Sequence, residues 1–218
     1  LTGWAGQLSL GQIGFFAIGG AISARLTIWY DLDYSLALLV AGAAGALSSL
    51  VVGIPALRLR GAYLAVATLV FSFSVSGFFV NPGFFDWVPR SDRPSDRIER
   101  HPLFGQIDWS STRAGYFVAL VVMVLMIIAV EGIRRSRTGR ILVALRDNED
   151  GTEAFGVSAI RAKLTAFAIS GVIAAVAGAV ATHNLNSFSP GSADFNLIAF
   201  TGAVLGGLGT SAGAVLGA

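Results

Sequence analysis

The chain has 218 residues, of which 54% are hydrophobic and only 13% charged, with a formal net charge of +2 and no cysteine. A soluble domain carries about 25% charged residues, so lipid is the expected solvent; cysteine chemistry is excluded, and so small a charge gives no support for nucleic-acid binding. Charge-free runs cover residues 1–24, 34–57, 61–85, 114–130, 164–193 and 195–218, each near the roughly 20 residues a spanning helix needs and without the alternation of a β-barrel.

Spans are predicted near 9–29, 34–55, 61–81, 114–132, 164–183 and 195–217. The first run is dense in glycine between Gly3 and Gly20, which is poor for a straight helix. It also places Gln7, Ser9 and Gln12 at membrane depth, where irregular backbone is tolerated only inside protein or beside a cavity. A broken or re-entrant helix is therefore expected over Gly3–Gly11, including Gly6 and Gly11, with the main span following. Pathway lining and close helix packing through small residues both account for the pattern.

The link Tyr30–Asp33 holds two aspartates and no basic residue, whereas Arg58 and Arg60 fill the next short link. In the third run Thr68, Ser72 and Ser76 fall on one helical face, as helix glue or as a polar path. Residues 82–113 form a long loop with four prolines, and irregular chain with one short helix is expected there. It can cap the bundle or meet a soluble partner. Residues 133–163 contain Arg134, Arg135, Arg137, Arg140, Arg146, Arg161 and Lys163. With six spans, this segment and 56–60 share one side, while 30–33, 82–113 and 184–194 share the other. The positive-inside rule puts the Arg-rich side in the cytoplasm and makes 82–113 an external loop.

Within the Arg-rich segment, Ser136 or Thr138 can cap a helix beginning near Gly139. Ile141, Leu142 and Leu145 give it a short apolar face, and Arg146 can pair with Asp150 at i, i+4. Gly151 weakens the helix, a second short helix holds Glu153-Ala154-Phe155, Gly156 suits a stop, and Ser158 caps the next span. The apolar side is too small for a core of its own, so it must dock on the bundle, on the bilayer or in a partner's groove. Beyond it, His183, Asn184 and Asn186 read as a polar helix end, since one histidine without carboxylate company is a poor metal site. In the last run Gly202, Gly206, Gly209, Gly213 and Gly217 are spaced for close helix contact, and the stretch Gly206-Gly207-Leu208-Gly209 should interrupt the helix. Paired Gly-interrupted segments of this kind also mark transport pathways. No P-loop is present.

The order Gly139-Arg140-x5-Arg146-Asp147-x-Glu149, then Glu153-Ala154-x-Gly156, then Lys163-Leu164-x-Ala166-Phe167-x-x-Ser170-Gly171 resembles the LivM-type permease subunits of branched-chain amino acid ABC importers. Gly6-Gln7-Leu8-Ser9-Leu10-Gly11, the stretch from Leu57 to Leu69, Ser189-Pro190 and the run from Leu205 to Gly209 are similar as well, and the matches keep their order over nearly the whole chain. Gly151-Thr152 departs from the small alanine-like residues common in relatives. The resemblance implies an all-α polytopic transmembrane bundle, one permease domain over 1–218, with 133–163 as the cytoplasmic coupling segment. It assigns ATPase coupling to Glu153, Ala154 and Gly156, with Arg146, Asp147 and Glu149 just before them.

By the same resemblance the partners are ABC ATPase subunits, a second LivH-like permease subunit and an external solute-binding protein, in the bilayer of a bacterial inner membrane. ATP and magnesium would sit on the ATPase. The chain itself is expected to bind no cofactor or metal and to do no covalent chemistry. Starting at Leu1 and stopping at Ala218 inside apolar runs, it reads as a fragment of a longer protein. An ATP-independent channel or secondary transporter is the rival class; the charge-free runs lack the ionisable residues an ion-coupled carrier needs. Urea, amides and sugars remain open as substrates.

Overall fold

The computed structural model describes residues 2–7, 9–57, 59, 62–90, 93–98, 100, 109, 111–189, 198, 201–202, 204–207 and 211–217. Its ordered elements are helical: α1 (Thr2–Ala5), α2 (Gln12–Tyr30), α3 (Tyr34–Ala56), α4 (Ala62–Ser74) running into a π-helical turn Val75–Phe79, a 3-10 turn Pro94–Asp96, α5 (Thr112–Arg135), α6 (Arg137–Asp147), α7 (Glu149–Ala154), α8 (Ala159–Asn184) and α9 (Ser211–Leu216). Among the described residues, α2, α3, α5 and α8 are long and apolar enough to cross a membrane, and Tyr63–Phe79 is a shorter apolar helix. The protein is a multi-pass helical membrane bundle.

The bundle centres on α2, α3 and α8. In lipid the hydrophobic effect does not pull helices together, so association rests on close van der Waals contact between small residues. A Cβ on Gly19 would overlap the Ala175 backbone, and one on Gly178 would overlap the Phe16 carbonyl. Gly45 and Gly171 face each other with the same lack of room. Beside this core, α4 lies against the start of α2, where Gly11 and Gly14 receive Thr68, Phe71 and Ser72. Helix α5 stands to the side, with Tyr116, Phe117, Val121, Leu125 and Ile128 exposed, an apolar surface suited to lipid.

The expected break in the first run is present. After α1, Gly6 has φ +63°, and Gly6, Gln7 and residues 9–11 are non-helical before α2 begins. The freed backbone groups find side chains: Leu10 N–H donates to Thr68 Oγ1 at 3.0 Å and Gly11 N–H to Ser9 Oγ at 3.4 Å. Thr68 and Ser72 are buried, so this polar face packs the helix break.

Two readings are sharpened and one is corrected. The charge-free run ends at Ala24, yet α2 continues through Arg25. That charge lies five residues from the helix end, about 7.5 Å at the helical rise, and its guanidinium stacks 3.1 Å from the Trp29 ring centroid. A spanning helix therefore does carry a charge, held toward the interface by an aromatic partner. His183 does stand at the polar end of a helix, but a buried one. It lies inside α8, 1% exposed, with Nε2 2.9 Å from Ser23 Oγ and 3.5 Å from Thr27 Oγ1 of α2. Finally, the described part of 195–217 is no single span. Gly202 lies against Gly217 and Gly206 against Gly213, so the two described stretches run side by side in opposite directions, and Gly207 stands at φ +105°.

The two ends of the bundle collect the groups that charge parity assigned to them. At one end lie α1, the turn after α3 and the segment 136–160. At the other, the described residues of the loop lie over the ends of α2, α3 and α8: Val88 and Ile98 pack with Ala21, Ala24, Val80 and Phe188. Arg58 and Arg60, part of the charge argument, lie outside the described residues.

Arg100 latches this loop. Its Nε donates to His183 O at 3.1 Å and Asn186 Oδ1 at 3.0 Å, Nη2 to Asn184 O at 2.8 Å, and Nη1 to Ser111 O at 3.2 Å. The carbonyls at the C-terminus of α8 thus gain a cation where the helix dipole favours one. Arg100→Ala is expected to cost about 2 kcal/mol, the scale of hydrogen bonds to a charged group. Hydrogen exchange should speed up over 93–98 and 111–115 while the α2–α8 core stays protected. Unchanged exchange in the loop would show that Arg100 is no latch.

Candidate functional site

The Arg-rich segment builds its own platform. Ser136 caps α6, its Oγ accepting from Gly139 N–H at 3.5 Å, and the helix starts at Arg137 rather than at Gly139. Leu142 and Leu145 are buried, and Leu142 packs with Ala5 and Ala166. Of the docking surfaces open to the short apolar face, it takes the bundle itself.

Asn148 then breaks and restarts the chain. Its side chain accepts from Gly151 N–H at 2.9 Å and caps α7, which spans Glu149–Ala154. Gly151 does not loosen this helix: it sits beneath the cap, where a Cβ would meet the Asn148 amide. Phe155 falls in the turn after α7 and is 92% exposed. Gly156 ends the segment at φ +79°, a conformation that glycine adopts without strain. Ser158 Oγ accepts from Arg161 N–H and starts α8. Lys163 Nζ donates to Glu149 Oε1 at 2.5 Å, tying α7 to α8.

Arg146 joins this platform to the N-terminal break. Its Nη1 donates to Gly3 O at 2.6 Å. Its Cγ lies 2.9 Å from where a Cβ on Gly6 would stand, so the side chain lies across the glycine. The expected pair with Asp150 is replaced by Asp147, whose Oδ1 is 3.3 Å from Nε. Asp150 lies in α7, beyond the extended Asn148 that ends α6, so the helical i, i+4 spacing is broken.

Between these parts lies a cavity of about 520 Å³. Gly6 and Gln7 line it from the helix break, and Leu57 and Leu64 from the turn after α3 and from α4. Arg146, Glu149, Asp150 and Glu153 line it from the platform, and Ile160 and Lys163 from α8. Gln7 is 7% exposed and its Oε1 has no hydrogen-bond partner.

Two groups of residues that sequence spacing treated apart, Gly6 and Gln7 on one hand and Arg146, Glu149 and Glu153 on the other, therefore share one site. Ser9, Gly11 and Gln12 lie behind it: Ser9 and Gly11 are buried near α4, and Gln12 Oε1 accepts from Ser170 Oγ at 2.9 Å. Asp147 serves Arg146, and Ala154 and Gly156 are exposed at the tip. Gly206 and Gly207 belong to the helical hairpin that α9 closes, and Gly209 lies outside the described residues. Asp150, Leu64 and Ile160 were missed as site residues. Leu64 belonged to an apolar run and Asp150 to an acidic cluster; Ile160 carried no sequence signal.

The sequence profile of the family described as "Branched-chain amino acid transport system / permease component" matches residues 1–218. The high-affinity branched-chain amino acid transport system permease protein LivM of Salmonella typhimurium (strain LT2) is 34% identical over 100% of this chain and 56% of its own length. LivM of Escherichia coli (strain K12) gives the same identity and shares. The xylose transport system permease protein XylH of Haemophilus influenzae is 35% identical over 47% of this chain and 29% of its own length. The chain thus spans 56% of the length of the LivM relatives. No solved structure matches the chain significantly.

Proposed function

Because the chain belongs to the branched-chain amino acid transport system permease family, we propose that it forms the membrane pathway of an ATP-driven importer for branched-chain amino acids. It does no covalent chemistry and binds no cofactor; ATP and magnesium act on separate ATPase subunits. A second LivH-like permease subunit completes the pathway, an external solute-binding protein delivers the substrate to the 82–113 side, and the bilayer is a bacterial inner membrane. The observation that carries this reading is the seating of the segment 136–156. Its apolar side is spent on the bundle, while Glu153, Ala154, Phe155 and Gly156 are all exposed, as a docking tip for a partner requires. The ATPase can shift the permease only through different affinities for its two states. Arg146 on Gly3 and Gly6, and Lys163 on Glu149, link that tip to α1 and α8.

Co-purification and uptake with the ATPase test this. Glu153→Ala and Gly156→Asp should each lower ATP-driven leucine uptake about tenfold, the effect of roughly 1.4 kcal/mol of lost coupling, and weaken retention of the ATPase. Normal retention and uptake in both variants would overturn the coupling assignment. The partial match to a xylose permease favours sugars as the second reading, and competition of leucine uptake by xylose decides between them.

A further inference from the structure

The cavity between the helix break and the platform has a chemical pattern of its own. Among the described residues, three carboxylates, Glu149, Asp150 and Glu153, line it with two cations, Arg146 and Lys163. Lys163 is engaged by Glu149 and Arg146 by Asp147 and Gly3 O. No ion pair among the described residues reaches Asp150 or Glu153. Gln7 adds a buried acceptor, Oε1, with no partner, at a cost of about 1–3 kcal/mol unless something donates to it. The opposite wall is aliphatic, with Leu57, Leu64, Leu145 and Ile160. A cavity of about 520 Å³ falls within the range of small-molecule sites.

We propose that this cavity binds a free amino acid with an aliphatic side chain. The ammonium group faces Gln7 Oε1, Asp150 and Glu153; the carboxylate faces the guanidinium of Arg146; the side chain lies on Leu57, Leu64 and Leu145. This goes beyond the importer reading and rests on it for one point, that the Arg-rich end faces the cytoplasm. An occupant there would touch the helix break and the coupling platform together, so the cytoplasmic product of transport would bias the state that the platform reports to the ATPase.

The test uses the full-length permease, paired with its second subunit, in lipid nanodiscs without ATPase or external binding protein, titrated calorimetrically with L-leucine. Saturable binding is expected. Gln7→Leu should weaken it about tenfold and Gln7→Glu, which keeps an acceptor, should retain it, the difference being one hydrogen bond to a charged group. 4-Methylpentanoate, which lacks the ammonium, and 3-methylbutylamine, which lacks the carboxylate, should each bind more weakly than leucine. No saturable binding, or equal affinity for Gln7→Leu and the unchanged protein, overturns the site. In a background whose other cysteines, outside these 218 residues, are replaced by serine, Ile160→Cys places one thiol at its rim, since the 218 residues themselves have none. Cross-linking of that thiol to added ATPase without protection by leucine gives the cavity to a segment of the ATPase and overturns the proposal. ATP-driven uptake by the complete complex is read separately: uptake without this binding removes only the site, and binding without uptake removes only the importer reading.

Discussion

Gly178→Leu is expected to abolish folded protein. The α2–α8 contact brings backbone against backbone, and a Cβ on Gly178 would overlap the Phe16 carbonyl oxygen. Overpacking a core costs about 1–3 kcal/mol where side chains can shift. A carbonyl inside a helix cannot rotate away, so the helices must part. Parting them also strips Gly19 from Ala175 and stretches the Ser23–His183 hydrogen bond. In lipid little else holds them together, and total stability is only about 5–15 kcal/mol. The measure is the fraction of extracted protein that elutes as a monodisperse species in detergent. Gly132→Ala is the control: it lies in α5 with nothing within 4 Å of an added Cβ, and alanine should gain about 1 kcal/mol there by helix propensity. Equal yields for the two variants would overturn the close-packing account.

Arg146→Ala should uncouple the protein without unfolding it. The side chain is about half exposed, so its hydrogen bond to Gly3 O contributes toward the low end of the roughly 1.5–3 kcal/mol seen with charged donors. What it loses is position. Without the guanidinium on Gly3 and the stem across Gly6, α6 remains held by Leu142 and Leu145 but no longer reports to the helix break. ATP-driven leucine uptake is expected to fall about tenfold, equivalent to 1.4 kcal/mol, with folded yield unchanged. Gly6→Ala should resemble it, because alanine at φ +63° costs about 1–2 kcal/mol and would push Arg146 aside. The double variant should then lose little more than either single one. Full uptake by Arg146→Ala, or additive losses in the double variant, would separate the clasp from coupling.

Much of the fold was legible because lipid imposes a coarse rule. Backbone groups in hydrocarbon must be satisfied within the segment, so apolar length reads as helix. The starts of α6 and α8 at Arg137 and Ala159 follow from Ser136 and Ser158 as caps, while the Asp33 cap of α3 emerged only in the structure. Glycine density correctly marked the breaks at Gly6 and Gly207. It could not tell pathway from packing, because both need small residues; the neighbours of Gly11, Gly19, Gly178 and Gly206 show packing at those positions. The polar residues were the least legible. Ser23, Arg100 and His183 are far apart in sequence, and nothing local announces that Arg100 caps the helix that begins sixty residues later.

The sequence by itself determined that this is a helical membrane protein, which ends of its helices share a side, and where the chain must break. Apolar length, arginine distribution and glycine dictate those properties locally. The tertiary structure alone decided that the broken N-terminal run and the Arg-rich segment form one site. That union depends on Arg146 reaching across 143 residues of chain to Gly3, and on three helices approaching closely enough, through Gly19, Gly45, Gly171 and Gly178, to bring their ends together around Gln7.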